Sequence, residues 1–195
     1  MAEVVVLRSG YAVTDASGKL RAGGTISLVS SAGVRIVVDT GGPSDRAALL
    51  DALGERALQA DQVQYVVCTH GHADHVGNNN LFAGATFFIG RDRSVGDVFE
   101  DVDYASGPYA ITPEVQVIAT PGHTSEDLSV VVQTAGGVVA LVGDLFEDAA
   151  DAGADTWVQF SRDPGRQRRS RADILAIADF IVPGHGGRFA VREVC

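Results

Sequence analysis

The stretch that most constrains this chain is Thr69-His-Gly-His-Ala-Asp-His75, which places three of the protein's five histidines and one aspartate in six consecutive positions. The apolar run Val63-Gln-Tyr-Val-Val-Cys68 leads straight into it. The other two histidines repeat the setting. His123 lies in Thr120-Pro-Gly-His-Thr124 after Val115–Ala119, and His185 lies in Val182-Pro-Gly-His-Gly186 after Phe180–Val182. Asp144 lies in Val142-Gly-Asp-Leu145 after Val138–Val142. Each candidate ligand therefore follows an apolar strand and neighbours glycine. Strand ends are held rigidly, and glycine lets the backbone turn tightly beside a cluster. A lone histidine is ordinarily a surface or satisfied core residue. Three clustered histidines, with two more in matching strand-end turns, point instead to a divalent metal site. Imidazole nitrogens and carboxylate oxygens suit zinc or another transition metal. His70 and His72, two apart, can point the same way from an extended or loop segment, which they could not do from a helix.

His70-Gly-His72-Ala-Asp74-His75, followed by His123, Asp144 and His185, resembles the H-x-H-x-D-H…H…D…H signature of the metallo-β-lactamase superfamily. Val37-Val-Asp39-Thr-Gly41 ahead of it fits the same pattern, and the resemblance runs from about Val34 to His185. Asp155–Pro164, Gln167…Ser170-Arg171, Ala178–Gly186, Thr120–Asp127 and Gly143-Asp-Leu-Phe-Glu147 narrow it to one branch of the superfamily. The resemblance implies an α+β fold, a four-layer αβ/βα sandwich, in a single domain over residues 1–195 with metals at one edge between two sheets. Strand and helix order alone would say only mixed α and β. Seven donors are too many for one tetrahedral ion and suit two ions sharing a carboxylate. By resemblance, His70, His72 and His123 hold the first ion, Asp74, His75 and His185 the second, and Asp144 bridges them. The expected cofactors are two Zn(II) ions, with iron or manganese as substitutes. A water between the ions would become a hydroxide nucleophile, and the ions would stabilise developing negative charge. Asp74 and Asp144 are the expected catalytic carboxylates. With all five histidines assigned as ligands, the leaving group must take its proton from metal-bound water or from a carboxyl such as Glu126 or Asp127. A plain hydrogen-bonding role is preferred for Asp127. Asp39 is expected to orient a ligand histidine, a common need at metal sites.

The branch resemblance implies an endoribonuclease acting on a histone pre-mRNA-like substrate. Two features weigh against it. The net charge is −10. Only 41 positions separate Asp144 from His185, too few for the inserted domain of some nucleic-acid-processing members. The basic run Arg166-Gln-Arg-Arg-Ser-Arg171 is read as a solvated helix face rather than an RNA contact. The alternative is a carbonyl hydrolase acting on a small ester-like molecule: a thioester as in glyoxalase II relatives, a lactone or a β-lactam. The basic residues with which glyoxalase II relatives hold glutathione are not recognisable. Two further readings are a mononuclear iron sulfur dioxygenase and a binding protein with an idle site. His72 disfavours the two-iron electron-transfer branch, which resembles H-x-E-x-D-H.

The start, Met1–Arg8, lacks the basic and long apolar regions of a secretory signal, and no apolar run reaches the roughly 20 residues that cross a membrane. Cytoplasmic location and no membrane partner are the expectations; a homodimer is expected by family analogy alone. Cys68 is expected to pack in the core, and Cys195 to be a spare thiol. Segments 3–8, 11–14, 25–31 and 34–38 read as strands. A helix is expected from Pro43 to about Ala57 with Ala47, Leu50, Leu53 and Leu58 on its apolar face. A short helix is expected to open at Gly77–Leu81, its N-terminus facing the site. Strands follow at 85–89, 115–119, 128–133 and 138–142, the last two joined by an Ala135–Gly137 turn. Residues 91–110 read as loop with short elements, a wall of the substrate pocket, and 147–155 as an exposed acidic loop. A helix from Asp163 to about Asp179 and a strand at 180–182 complete the expectation.

Overall fold

The computed structural model describes residues 1–194; Cys195 lies outside them. Strand β1 (Glu3–Arg8) precedes a two-stranded hairpin, β2 (Tyr11–Thr14) and β3 (Leu20–Gly23), whose strands pair only with each other. Then come β4 (Ile26–Ser31), β5 (Val34–Val38), α1 (Arg46–Gly54), β6 (Tyr65–Cys68), α2 (Ala73–Val76), β7 (Thr86–Ile89), β8 (Asp92–Val95) and β9 (Val98–Asp101). The second half holds β10 (Tyr109–Thr112), β11 (Val115–Ala119), β12 (Leu128–Thr134), β13 (Gly137–Gly143), α3 (Pro164–Ile177), β14 (Phe180–Pro183) and β15 (Phe189–Ala190).

Two sheets result. The first has the order β1-β4-β5-β6-β7-β8-β9, parallel where α1 crosses over between β5 and β6. The second has the order β10-β11-β12-β13-β14-β15, parallel where α3 crosses over between β13 and β14. Side chains alternate across each central strand. Ile36 and Val38 face the other sheet while Val37 faces α1; Val130 and Val132 face the other sheet while Val131 faces α3. Strands buried on both faces read as unbroken apolar runs. The layers are thus α1, first sheet, second sheet and α3, the expected αβ/βα sandwich.

Several expectations need correction. The helix after Pro43 opens as a 3-10 turn, Pro43–Asp45, and α1 stops at Gly54. Its buried residues are Leu49 and Leu53, whereas Ala47 and Leu50 face solvent and Leu58 is half-buried. Leu49 and Leu50 both lie within a helical turn of Leu53, and packing on the sheet selects the i,i+4 partner. The helical turn near the signature begins earlier than expected, at Ala73; Asn79–Phe82 is a separate 3-10 turn anchored by buried Phe82. The short elements expected within residues 91–110 are strands, β8, β9 and the start of β10, which make up half of the segment. Arg91 pairs with Asp101 and Arg93 with Glu100 across β8 and β9, so cross-strand charge replaces apolar alternation at this sheet edge. In the acidic 147–155 segment, Asp151 is buried rather than exposed. The α3 boundaries agree with expectation because Asp163 caps the Arg166 N–H and Pro164 fills the first turn. Cys68 is buried in the layer under α1, as expected. Among the described residues no helix is long and apolar enough to cross a membrane.

Candidate metal centre

Strand ends deliver every candidate donor to one edge between the sheets. Strand β6 runs into Thr69 and the extended residues up to His72, and α2 then turns Asp74 and His75 back toward the same space. From the second sheet, β11 leads to His123, β13 to Asp144 and β14 to His185. Glycine is required where these loops crowd together. A side chain at Gly184 would collide with Asp144, and one at Gly122, whose φ is 152°, would collide with Gln167.

Two donor groups meet at Asp144. In the first, His72 Nδ1 lies 2.9 Å from His70 Nε2 and 3.1 Å from His123 Nε2. Asp144 Oδ2 lies 3.5 Å from His70 Nε2 and 3.4 Å from His123 Nε2. In the second, Asp74 Oδ2 lies 3.9 Å from His75 Nε2 and 3.8 Å from His185 Nε2. Asp144 reaches this group as well, at 3.1 Å from Oδ1 to His75 Nε2 and 3.3 Å from Oδ2 to His185 Nε2. Glu147 stands on the same side, with Oε2 3.8 Å from His185 Nε2. Most of this constellation is buried; His72 is exposed and Asp74 half-exposed, so the centre opens on their side.

The chemistry of the donors fits divalent metal. Ring nitrogens converge on ring nitrogens, and a lone proton on His72 Nδ1 can satisfy only one of its two neighbours. His75 Nε2 and Asp144 Oδ1 face each other, are both buried, and make no hydrogen bond. A cation between such groups satisfies all of them at once. The far side of three rings is held by the protein: His75 Nδ1 by Asp39 Oδ2 at 2.8 Å, His70 Nδ1 by Thr69 Oγ1 at 3.2 Å and His185 Nδ1 by Gly23 O at 3.2 Å. This is the orienting pattern of ligand histidines. Asp39 fills the role expected of it. Sitting at φ 58° just past β5, it also accepts the Thr69 N–H and hydroxyl, both at 2.7 Å.

Charge is shared unevenly. Burial opposes a proton on His75, but Asp144 and Asp39 outweigh it and raise its pKa well above the ordinary histidine range. Burial likewise opposes charge on His185, while Asp144 lifts its pKa to about 9. Burial holds His70 well below the ordinary range and also lowers His123. Burial alone would raise the Asp144 carboxyl; His75, His70 and the His185 hydrogen bond together hold it well below its ordinary range. Burial, reinforced by Asp144, pushes Glu147 up to about 8.

The carboxyls considered as proton donors fall apart. Asp127 accepts the Gly122 N–H at 2.9 Å and the Thr124 N–H at 2.8 Å, so it pins the loop that carries His123. Glu126 is exposed and packs over Gly90. Together with Arg91, Tyr104, Ser125 and Arg166 it lines a cavity of about 430 Å³ beside that loop, consistent with a pocket wall from residues 91–110. The basic run on α3 divides as well. Arg166, Arg168 and Arg169 are exposed as expected, but Arg171 is buried. Its guanidinium donates to Leu145 O at 2.8 Å and Asp151 Oδ1 at 3.1 Å and stacks on Phe146 and Trp157. Sequence reasoning missed Gln167 too, whose Nε2 donates to Asp144 O at 3.1 Å, and gave Glu147 no role. The signals for Gln167 are its place in the Gln167…Ser170-Arg171 motif and its spacing with Arg171 and Ile174 on one helix face.

The profile of the metallo-beta-lactamase superfamily matches residues 21–91. The chain belongs to this superfamily, whose fold is that of metal-dependent hydrolases. Within it, the chain is 41% identical over 192 residues to metallo-beta-lactamase domain-containing protein 1 of Xenopus laevis, covering 96% of this chain and 81% of that one. The Homo sapiens protein of that name is 40% identical, covering 96% and 82%. A Thermotoga maritima structure described as a metallo-beta-lactamase superposes with a TM-score of 0.73 at 22% identity, covering 97% and 99%, a likeness of fold.

Proposed function

We propose that this protein is a hydrolase with a binuclear zinc centre. The observation that supports this reading is the placement of Asp144, whose carboxylate stands within 3.5 Å of His70, His75, His123 and His185 at once. His70, His72, His123 and Asp144 would hold one ion; Asp74, His75, His185 and Asp144 would hold the other. Bound divalent ions supply Lewis acidity and make water a nucleophile near neutral pH. The chain's own part is to hold those donors rigid, through Asp39 on His75 and Asp127 on the His123 loop, and to leave His72 and Asp74 facing the approach of substrate.

Two substrate classes follow from different observations. Sequence resemblance supports an RNA phosphodiester. The surface supports a small ester-like molecule: the cavity beside the His123 loop has apolar walls at Val102, Tyr104 and Leu128, its charged lining is mixed, Asp103 and Glu126 against Arg91 and Arg166, and the net charge of −10 disfavours a polyanion. Arg168 and Arg171, which could have drawn RNA, are engaged by Asp155 and Asp151.

The test begins with metal content per chain, by plasma mass spectrometry on tag-free protein prepared without added metal. Two zinc ions per chain are expected. One iron with little zinc would point to the oxygenase reading and end the binuclear assignment. The zinc protein is then presented with single-stranded RNA, a thioester, a lactone and a chromogenic β-lactam. Turnover confined to RNA would reverse the preference for a small ester.

A further inference from the structure

We propose that Glu147 is an additional metal ligand on the His185 side, which widens the chemical difference between the two positions. The inference rests on the binuclear reading above and deepens it.

The local chain sets up the placement. After β13, residues 142–146 turn back on themselves, with the Leu145 N–H donating to Val142 O and the Phe146 N–H to Gly143 O. Leu145 and Phe146 are buried in the layer under α3, and the carboxylates on either side of them, Asp144 and Glu147, turn toward the centre. The Glu147 backbone is fixed at both ends. Its N–H donates to Asp151 Oδ2 at 2.7 Å, and its carbonyl accepts the His185 N–H at 2.7 Å. The segment carrying one ligand therefore hangs directly on Glu147. The Glu147 side chain is only 17% exposed and its oxygen falls in one group with Asp144 and His185, all within 4.8 Å. Among the described residues no lysine or arginine pairs with it. A buried carboxylate in that position requires a cation or a proton. Buried His75 Nε2 and Asp144 Oδ1, 3.1 Å apart and without hydrogen bonds, adjoin the group that Asp144 forms with Glu147 and His185.

The donor sets then differ. His70, His72, His123 and Asp144 offer three nitrogens and one oxygen, a tetrahedral zinc set. On the other side Asp74, His75 and His185 form one group and Asp144, Glu147 and His185 another, sharing His185; together they offer two nitrogens and three oxygens. That set suits higher coordination and, besides zinc, accommodates a harder ion such as manganese(II) or iron(II). Charge points the same way. Two divalent ions bring four positive charges; Asp74 and Asp144 return two, and Glu147 returns a third, which lowers the cost of burying the centre.

The experiment titrates metal-depleted wild type, Glu147→Gln and Asp74→Ala with zinc(II) and with manganese(II). Stoichiometry is read by mass spectrometry and bound manganese by electron paramagnetic resonance. Glu147→Gln is expected to keep the first zinc at wild-type affinity and to weaken the second position about tenfold to a hundredfold, with manganese losing more than zinc. Unchanged second-position affinity for both metals overturns the inference while leaving the binuclear reading intact. Equal weakening of both positions, with a native circular dichroism spectrum, overturns the assignment of Glu147 to the His185 side. If metal-depleted wild type takes up only one ion per chain, the binuclear reading fails and the Glu147 inference fails with it; Asp74→Ala, which removes a donor from the same side, is expected to weaken the second position as Glu147→Gln does.

Discussion

At the scale of the residue, Asp144 is the position on which both donor groups depend. Asp144→Ala is expected to lower occupancy at both positions and abolish turnover; metal analysis and activity assays check this, and full activity would sink the bridging role. Asp39→Asn tests the orienting contact. The amide keeps the shape but loses the charge that faces His75 and is expected to reduce metal affinity about tenfold to a hundredfold. Metal loading should also depend on pH. His75 and His185 hold protons above the ordinary histidine range, His185 to about 9, and Glu147 holds its proton to about 8. Incoming metal must displace those protons, so affinity rises as pH rises toward 9 and weakens as pH falls. Competition against a chelator at several pH values between 6 and 9 reads this directly; a flat profile contradicts it. The same contrast explains what sequence could disclose. Five histidines are scarce enough that their clustering carries information, whereas Glu147 is one of 25 acidic residues; it ends the Gly143–Glu147 motif, but only the fold brings its carboxylate beside His185.

At the scale of the element, α3 ties two ligand loops together. Gln167 holds the carbonyl of Asp144, Ser170 Oγ donates to Pro121 O at 2.9 Å beside His123, and Arg171 holds Leu145 O. Arg171→Ala strands the buried Asp151 carboxylate and removes the stacking on Phe146 and Trp157. A loss of about 3–5 kcal/mol is expected from urea unfolding. The double change Arg168→Ala and Arg169→Ala touches an exposed pair and is expected to stay within about 0.5 kcal/mol, with turnover unchanged. A large loss on RNA alone would show that these side chains contact it. The boundaries of α3 could be read from its cap and proline, because those signals are local. Which arginine turns inward could not, because that depends on Asp151, twenty positions away. The β8–β9 hairpin escaped for a related reason: edge strands stabilised by cross-strand charge lack the alternation that marks a half-buried strand.

At the scale of the whole molecule, strand signals identified most of the pieces, but neither sheet's order follows from them. Strand order is fixed by pairings such as β5 with β6 and β13 with β14, across helical crossovers, and only the resemblance implied the sandwich. Each sheet supplies donors to the same centre, so metal binding selects the assembled fold over the unfolded chain. Stripping the metal with a chelator is expected to lower Tm by several degrees, at about 2–4 °C per kcal/mol for a chain of this size. Calorimetry with and without chelator checks this, and an unchanged Tm would mean that the centre contributes nothing to stability.

The spread of donors along the chain bears on how such a protein reaches its active form. A chain that has formed only its first sheet presents His70, His72, Asp74 and His75 but lacks Asp144, the carboxylate that both positions share. Any ion captured then is held by a partial set and exchanges readily with the surrounding pool. Under the proposed binuclear reading, tight retention would begin only when β13 and β14 have closed the second sheet. On the binuclear reading proposed above, full loading would report that folding has finished.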